Sequence, residues 1–415
     1  MGGSHPPVKS NMHKPSSLRL PSVALAASLL LAACGGGGGG GDSGSSTPTT
    51  PPSTRFGASS NYAGICTLDG QKQFIRAYMD EVYYWYNEIP DVDAAAFSNI
   101  TDYFNALLVK TPDANGQPKD RFSAVLPTSA VAAALSQNLL PARATAVDST
   151  ALSLSTAVPQ ANVITSPGTG RKVGYIQFND FSIGAQDELI TDFRNMQSAG
   201  VQDLVLDLRF NSGGYLYIAQ STASMVTGAG NVGKTFEQLT YNDKRGAETA
   251  ASRLPFINTV TTPESQFGVG TALPQLNLPR VYVLTSGLTC SASESVINSL
   301  RGVDVQVVTV GGTTCGKPYG FHQRNNCGYA YFPIEFKGTN NKGFGDYTTG
   351  FSPTCTVTDN RSTTPGSGGD PLFQAAIHHI DTGACPAGAA TAQSSIPQLD
   401  LEESARPAWA GRILN

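Results

Sequence analysis

From Val173 onward, short apolar runs of strand character alternate with segments of helical periodicity, and no other feature of the chain limits its fold so strongly. Residues 173–178 read as a strand and 186–199 as a helix stopped by Gly200. Residues 204–208 follow as a strand, 215–226 as a helix, 281–285 as a strand, 291–300 as a helix and 303–310 as a strand. Strands joined by helices at this spacing argue for βαβ units and an α/β fold around a largely parallel, covered sheet. In such folds ligands bind beyond the carboxyl ends of the strands, so the loops there carry the chemistry.

Upstream of this alternation the texture differs. Residues 66–110 read as helical: within 71–87, Phe74, Tyr78, Val82 and Trp85 recur at three- and four-residue steps and form one apolar stripe. Residues 124–172 are rich in Ala, Ser and Thr with only weak alternation. A chain of 415 residues suggests about two domains.

The first residues indicate export. Lys9, Lys14 and Arg19 precede an apolar stretch, 20–31, that ends in Leu31-Ala-Ala-Cys34. A basic segment, a short apolar segment and small residues before the cut describe a secretory signal over 1–33. The apolar run is shorter than the roughly 20 residues of a spanning helix. Leu-Ala-Ala-Cys resembles the bacterial lipobox, which implies cleavage before Cys34, lipidation of Cys34 and a membrane anchor. No Asp follows Cys34, and in lipoproteins that pattern implies the outer membrane, with the body facing the periplasm or cell surface. Residues 34–55, opening with seven glycines, have the composition of a flexible tether.

Of seven cysteines, removing Cys34 leaves Cys66, Cys290, Cys315, Cys327, Cys355 and Cys385. An even number in an exported chain implies disulfides. Short spacing favours Cys315–Cys327 and Cys355–Cys385, which pairs Cys66 with Cys290 by elimination. Twenty-seven Lys and Arg against 31 Asp and Glu, with no basic tract beyond the first residues, exclude a nucleic-acid-binding surface. Three histidines remain past the leader, His322, His378 and His379, and there is no CxxC pair or HExxH, so neither metal nor cofactor is expected.

Three loops stand out. The first follows Leu204-Val-Leu-Asp-Leu-Arg and reads Phe210-Asn-Ser-Gly213-Gly214; a glycine pair there lets backbone N–H groups turn toward a ligand. The second reads Ser286-Gly-Leu-Thr-Cys290-Ser291-Ala292-Ser293-Glu294, in which Ser291 and Glu294 have capping-box spacing. The third, Gly311-Gly-Thr-Thr-Cys315-Gly316-Lys317, sets one lysine in a glycine-rich loop. Each has a plain structural reading: a strand-to-helix turn, a helix cap, a solvated charge. Together they suit acyl transfer. A serine at a helix N-terminus has backbone amides and the positive dipole end beside it, where an oxyanion needs stabilising. The chain lacks an obvious Ser/His/Asp set, and a neutral lysine amine can replace the imidazole as base. A lysine of reference pKa about 10.4 is almost wholly charged at pH 7, so the site must desolvate Lys317.

These three motifs in order, with 26 residues from Ser291 to Lys317, resemble the C-terminal processing, or tail-specific, serine peptidases. The resemblance runs from about Val173 to Gly350 and more weakly over 66–123, including Asp120-Arg-Phe-Ser. It implies a crotonase/ClpP-like βαβ core with a small N-terminal helical domain, and endopeptidase action on envelope or exported proteins. Ser291 matches the family nucleophile, Lys317 its general base, and the amides of Ala292 and of Gly213 or Gly214 its oxyanion hole. Ser293 and Glu294 read as positioning groups. Members with a third catalytic residue carry Gln four positions after the lysine; that position here is Phe321, with Gln323 the nearest substitute and His322 adjacent. The family usually places a PDZ module before the core, but only 49 residues, 124–172, stand there, so the module is abbreviated or lost. The resulting plan is leader 1–33, tether 34–55, helical region 56–123, linker or PDZ remnant 124–172, catalytic domain 173–385 and tail 386–415. Some relatives bind small hydrophobic ligands without proteolysis, so a binding or adaptor lipoprotein on the same fold is the alternative.

Overall fold

The strands that alternate with helices after Val173 assemble into a six-stranded sheet, in a computed structural model that describes residues 56–131, 156–388 and the short strand Arg412–Ile413. The expected leader, Cys34, the tether and most of the tail lie outside the described residues. In chain order the strands are β1 (Ala124–Pro127), β2 (Gln160–Thr165), β3 (Lys172–Gln177), β4 (Asp203–Asp207), β5 (Thr235–Tyr241), β6 (Arg253–Pro255) and β7 (Arg280–Thr285). After them come β8 (Gln306–Gly311), β9 (Tyr319–Phe321), β10 (Arg324–Asn326), β11 (Tyr329–Phe332), β12 (Phe336–Thr339), β13 (Cys355–Thr356) and β14 (Arg412–Ile413). The helices are α1 (Leu68–Val82), α2 (Ile100–Ala106), α3 (Ala185–Ala199), α4 (Leu216–Val226), α5 (Gly246–Ala251), α6 (Ala292–Gly302) and α7 (Pro371–Thr382).

The main sheet has the order β13-β8-β7-β4-β3-β2 and is parallel except for β2, which runs antiparallel to β3. Its strands are apolar throughout because both faces are covered. Ile176, Leu204, Leu206, Val281, Val283 and Val307 pack under α3, α4 and α6. The alternate residues Val173, Tyr175, Val205, Tyr282, Leu284 and Val308 meet Leu372, Phe373 and Ile377 of α7. Gly200 ends α3 as expected, at φ +71° with its N–H donated to the carbonyls of Met196 and Gln197. Asp370 starts α7 by accepting the amides of Leu372 and Phe373.

Two smaller sheets, β14-β9-β12-β5-β6 and β1-β11-β10, join the core to the N-terminal helices. In α1, Phe74 and Tyr78 are buried as the periodicity predicts; the helix ends at Val82, and Trp85 reaches the same core from the turn beyond. This second core packs Phe74 and Phe104 against Tyr331, and Trp85 against Tyr319. The stretch 124–172 gives strands to both regions: β1 pairs with β11, and β2 forms an edge of the main sheet.

Two expected disulfides are corrected. Cys66 joins Cys327, Cys290 joins Cys315, and only Cys355–Cys385 pairs as short spacing suggests. Cys315 and Cys327 are 12 residues apart in sequence, but the chain between them runs through β9 and β10, which belong to different sheets, whereas Cys290 and Cys315 extend neighbouring parallel strands. Their Cα atoms stand 5.2 Å apart, within reach of a disulfide.

Candidate active site

Thr285 of β7 lies opposite Gly311 of β8, and both strands leave the sheet there through loops that run side by side. The Cys315 N–H donates to the Thr289 carbonyl at 3.0 Å, and the Cys290–Cys315 disulfide crosses the same gap. Ser291 directly follows the first bridge cysteine, and Lys317 comes two residues after the second.

Ser291 caps α6 at φ +59° and ψ −110°, a backbone conformation that side-chain-bearing residues seldom adopt. Such strain persists only where the surroundings impose it, and it gathers at functional sites. Ser291 and Glu294 stand at the positions of a capping box. Only the carboxylate half has hydrogen-bonding geometry, with Glu294 Oε2 accepting the Ser291 N–H at 2.9 Å. The Ser291 Oγ is buried and has no hydrogen-bond partner among the described residues.

Glu294 does more than cap. Fully buried, its Oε2 also accepts the Lys317 N–H at 2.8 Å, so the backbone amides of Ser291 and Lys317 converge on one oxygen. Its Oε1 accepts the Gly316 N–H at 2.8 Å and the Thr314 hydroxyl at 2.6 Å. Four donors on one carboxylate fix the lysine loop against the serine helix. Cys290, Glu294 and Cys315 lie close enough to bracket an ion, but both sulfurs are spent in the disulfide.

The Lys317 side chain is 1% exposed, with Nζ 5.1 Å from the Phe122 ring centroid and 4.9 Å from that of Phe321. Phe122 comes from the N-terminal region. Asp120 accepts the amides of Phe122 and Ser123 and the hydroxyl of Tyr83, which shapes the turn that delivers the ring. The Asp120-Arg-Phe-Ser motif is therefore part of the site's wall.

The glycine loop after β4 closes the opposite side. A Cβ on Gly213 would lie 2.9 Å from both the Cys290 carbonyl oxygen and the Ser291 Cβ, and one on Gly214 would lie 2.4 Å from the Phe181 carbonyl oxygen. With φ of +107° and +135°, neither position tolerates a side chain. Asn211, which sequence reasoning passed over, locks this loop. Its carbonyl accepts the Cys290 N–H and the Ser293 hydroxyl, and its Oδ1 accepts the Gly213 N–H at 2.9 Å. Also unforeseen is a buried ionic cluster at the loop's base. Arg209 pairs with Asp207, Asp359 and Asp370, tying the loop to the start of α7. Burial lifts the Asp207 carboxyl above its ordinary range, and Arg209 opposes that rise. The sequence signal for both was their place at a strand end beside the glycine pair.

The structure thus brings Ser291, Ala292, Gly213, Gly214 and Lys317 together. It does not bring Gln323 to them: that side chain is exposed and donates to Asn325 Oδ1 at 2.8 Å. The neighbouring His322 ring meets Glu335 instead.

Residues 172–325 match the model of peptidase family S41, and residues 70–124 match the peptidase S41 N-terminal domain. The chain belongs to peptidase family S41, a family of serine-type peptidases. Over 148 residues it is 32% identical to a carboxyl-terminal-processing protease of Picosynechococcus sp., a match covering 36% of this chain and 30% of that protein's length. A chain of Bacteroides fragilis described as an S41 protease superposes with a TM-score of 0.57. That match covers 75% of this chain and 97% of the other at 21% identity, a likeness of fold. The family match of this S41 chain spans the three loops that surround Ser291.

Proposed function

We propose that this S41 chain is a serine endopeptidase in which Ser291 is the nucleophile and Lys317 the general base. The convergence of the Ser291 and Lys317 backbone amides on Glu294 Oε2 supports the reading, because it holds the loop of the buried Lys317 against the N-terminus of the helix that Ser291 caps. Ser291 Oγ attacks the scissile carbonyl carbon while its proton passes to Lys317 Nζ. The tetrahedral oxyanion is met by the N–H groups of Ala292 and Gly214, since that of Gly213 is already donated to Asn211. Collapse of this intermediate breaks the C–N bond, and the leaving amine takes the proton from Lys317. Water, deprotonated by the same amine, then attacks the acyl-enzyme and frees Ser291.

The substrates are exported proteins, met in the cell envelope. Three disulfides suit an oxidising compartment, and the leader with Cys34 supports a lipid anchor at the outer membrane. A serine-reactive fluorophosphonate probe tests the dyad: the wild-type chain labels at Ser291, and Ser291→Ala and Lys317→Ala do not. Failure of the folded wild-type chain to label would favour a non-proteolytic binding or adaptor role on the same fold.

A further inference from the structure

β9 begins two residues after Lys317 and supplies the Phe321 ring that lies against its ammonium end. One edge of β9 is occupied by β12, with Gly320 opposite Phe336. On that side the carbonyls of Pro318 and Gly320 accept from Gly338 and Glu335 at 2.9 and 2.8 Å. Successive residues of a strand turn their backbone groups to opposite edges, so Tyr319 and Phe321 present theirs on the other edge. That other edge is filled by the chain itself. β14 runs parallel to β9, with Arg412 opposite Gly320 and Ile413 opposite Phe321. Strands paired in this way lie about 4.8 Å apart, so β14 is one strand removed from the residue that covers Lys317.

Resting on the serine-lysine reading above, we propose that Arg412–Ile413 is an internal competitor of the substrate. It occupies the β9 edge, where an extended peptide would add as a strand, and must leave before substrate docks. The burial of both Ser291 and Lys317 agrees with a closed resting state. β14 is covalently joined to the body, so it competes as an intramolecular ligand, at an effective concentration of about 1 mM. If the free strand binds with a dissociation constant of about 0.1 mM, its occupancy lowers kcat/KM by about tenfold.

The test compares the full chain with a chain ending at Gly388 and with a full-length Arg412→Pro/Ile413→Pro variant, which loses both N–H groups of β14. Hydrogen exchange is read at β9, and KM and kcat are measured on an extended peptide. In both altered proteins the amide of Phe321 should exchange faster, KM should fall about tenfold and kcat should hold. A synthetic peptide spanning residues 408–415 should restore protection and inhibit competitively. Unchanged β9 exchange and unchanged KM in both would overturn the proposal. The exchange arm is repeated on Ser291→Ala. Faster exchange with no turnover in any serine-bearing protein would sink the peptidase reading and leave the docking intact. Turnover with unaltered exchange would sink the docking alone.

Discussion

Glu294→Gln is the sharpest perturbation the site offers, because it keeps the side chain's size and removes only its charge and half its acceptor capacity. Each carboxylate oxygen accepts two donors, three of the four being backbone N–H groups. An amide NH2 facing Ser291 and Lys317 would leave two N–H groups unpaired. Facing Thr314 and Gly316 is better, since the threonine hydroxyl can turn to accept, but the Gly316 N–H is still orphaned. One buried unsatisfied N–H costs about 1–3 kcal/mol. The two bonds kept by the amide oxygen lose their charge assistance, about 1 kcal/mol each. Neutralising a buried charge recovers part of its desolvation, yet the donors around it remain, so the balance stays unfavourable. The variant should lose about 3–5 kcal/mol, a large share of a typical domain's stability of about 5–15 kcal/mol. It should also lose about a hundredfold in kcat, because loops no longer pinned to one oxygen shift by about 1 Å. Urea unfolding gives the first quantity, and peptide turnover by protein verified as folded in near-UV circular dichroism gives the second. A Gln variant within about 1 kcal/mol of wild type and with unaltered kcat would refute the clamp.

Ser291→Ala should abolish turnover while lowering stability by under about 1 kcal/mol, below the usual loss of a helix cap, because the Oγ forms no hydrogen bond; this is read by urea unfolding beside a casein assay. Lys317→Arg should be as inactive as Lys317→Ala, since a guanidinium stays protonated and cannot accept the serine proton; substantial activity would reduce Lys317 to a positive charge. Reduction of Cys290–Cys315, a bridge spanning 25 residues, removes about 3.5 kcal/mol of chain-entropy stabilisation. During a dithiothreitol titration turnover should therefore fall before near-UV circular dichroism does. Burial lifts the Asp180 carboxyl to about 7. A raised carboxyl pKa favours the fold below about pH 4 and loses that effect as pH rises toward 7. Asp180→Asn should then be near neutral in stability at pH 4 and gain about 2 kcal/mol at pH 8, a figure reduced for the partial exposure of the side chain and checked by urea midpoints at both values.

What could be read without coordinates was local or periodic. The βαβ alternation, the end of α3 at Gly200 and the buried stripe of Phe74 and Tyr78 each follow from residue type over a few positions, where propensity and burial agree. The loops that carry Ser291 and Lys317 stood out too, since their glycine-rich and helix-capping residues are contiguous in the chain. Spacing misled wherever the decision belonged to strand neighbours. Whether Cys290 meets Cys66 or Cys315 depends on β7 and β8 lying side by side with Thr285 opposite Gly311, and a disulfide forms only between Cα atoms held about 5–6 Å apart. The same adjacency lets one Glu294 oxygen gather amides 26 residues apart, and other tertiary contacts turn Gln323 to Asn325 and bring Phe122 from the N-terminal region onto Lys317. Sequence set the chemistry of each loop. Tertiary packing chose which loops meet, because a hydrogen bond or a disulfide has a reach of a few ångströms and chain distance says little about it.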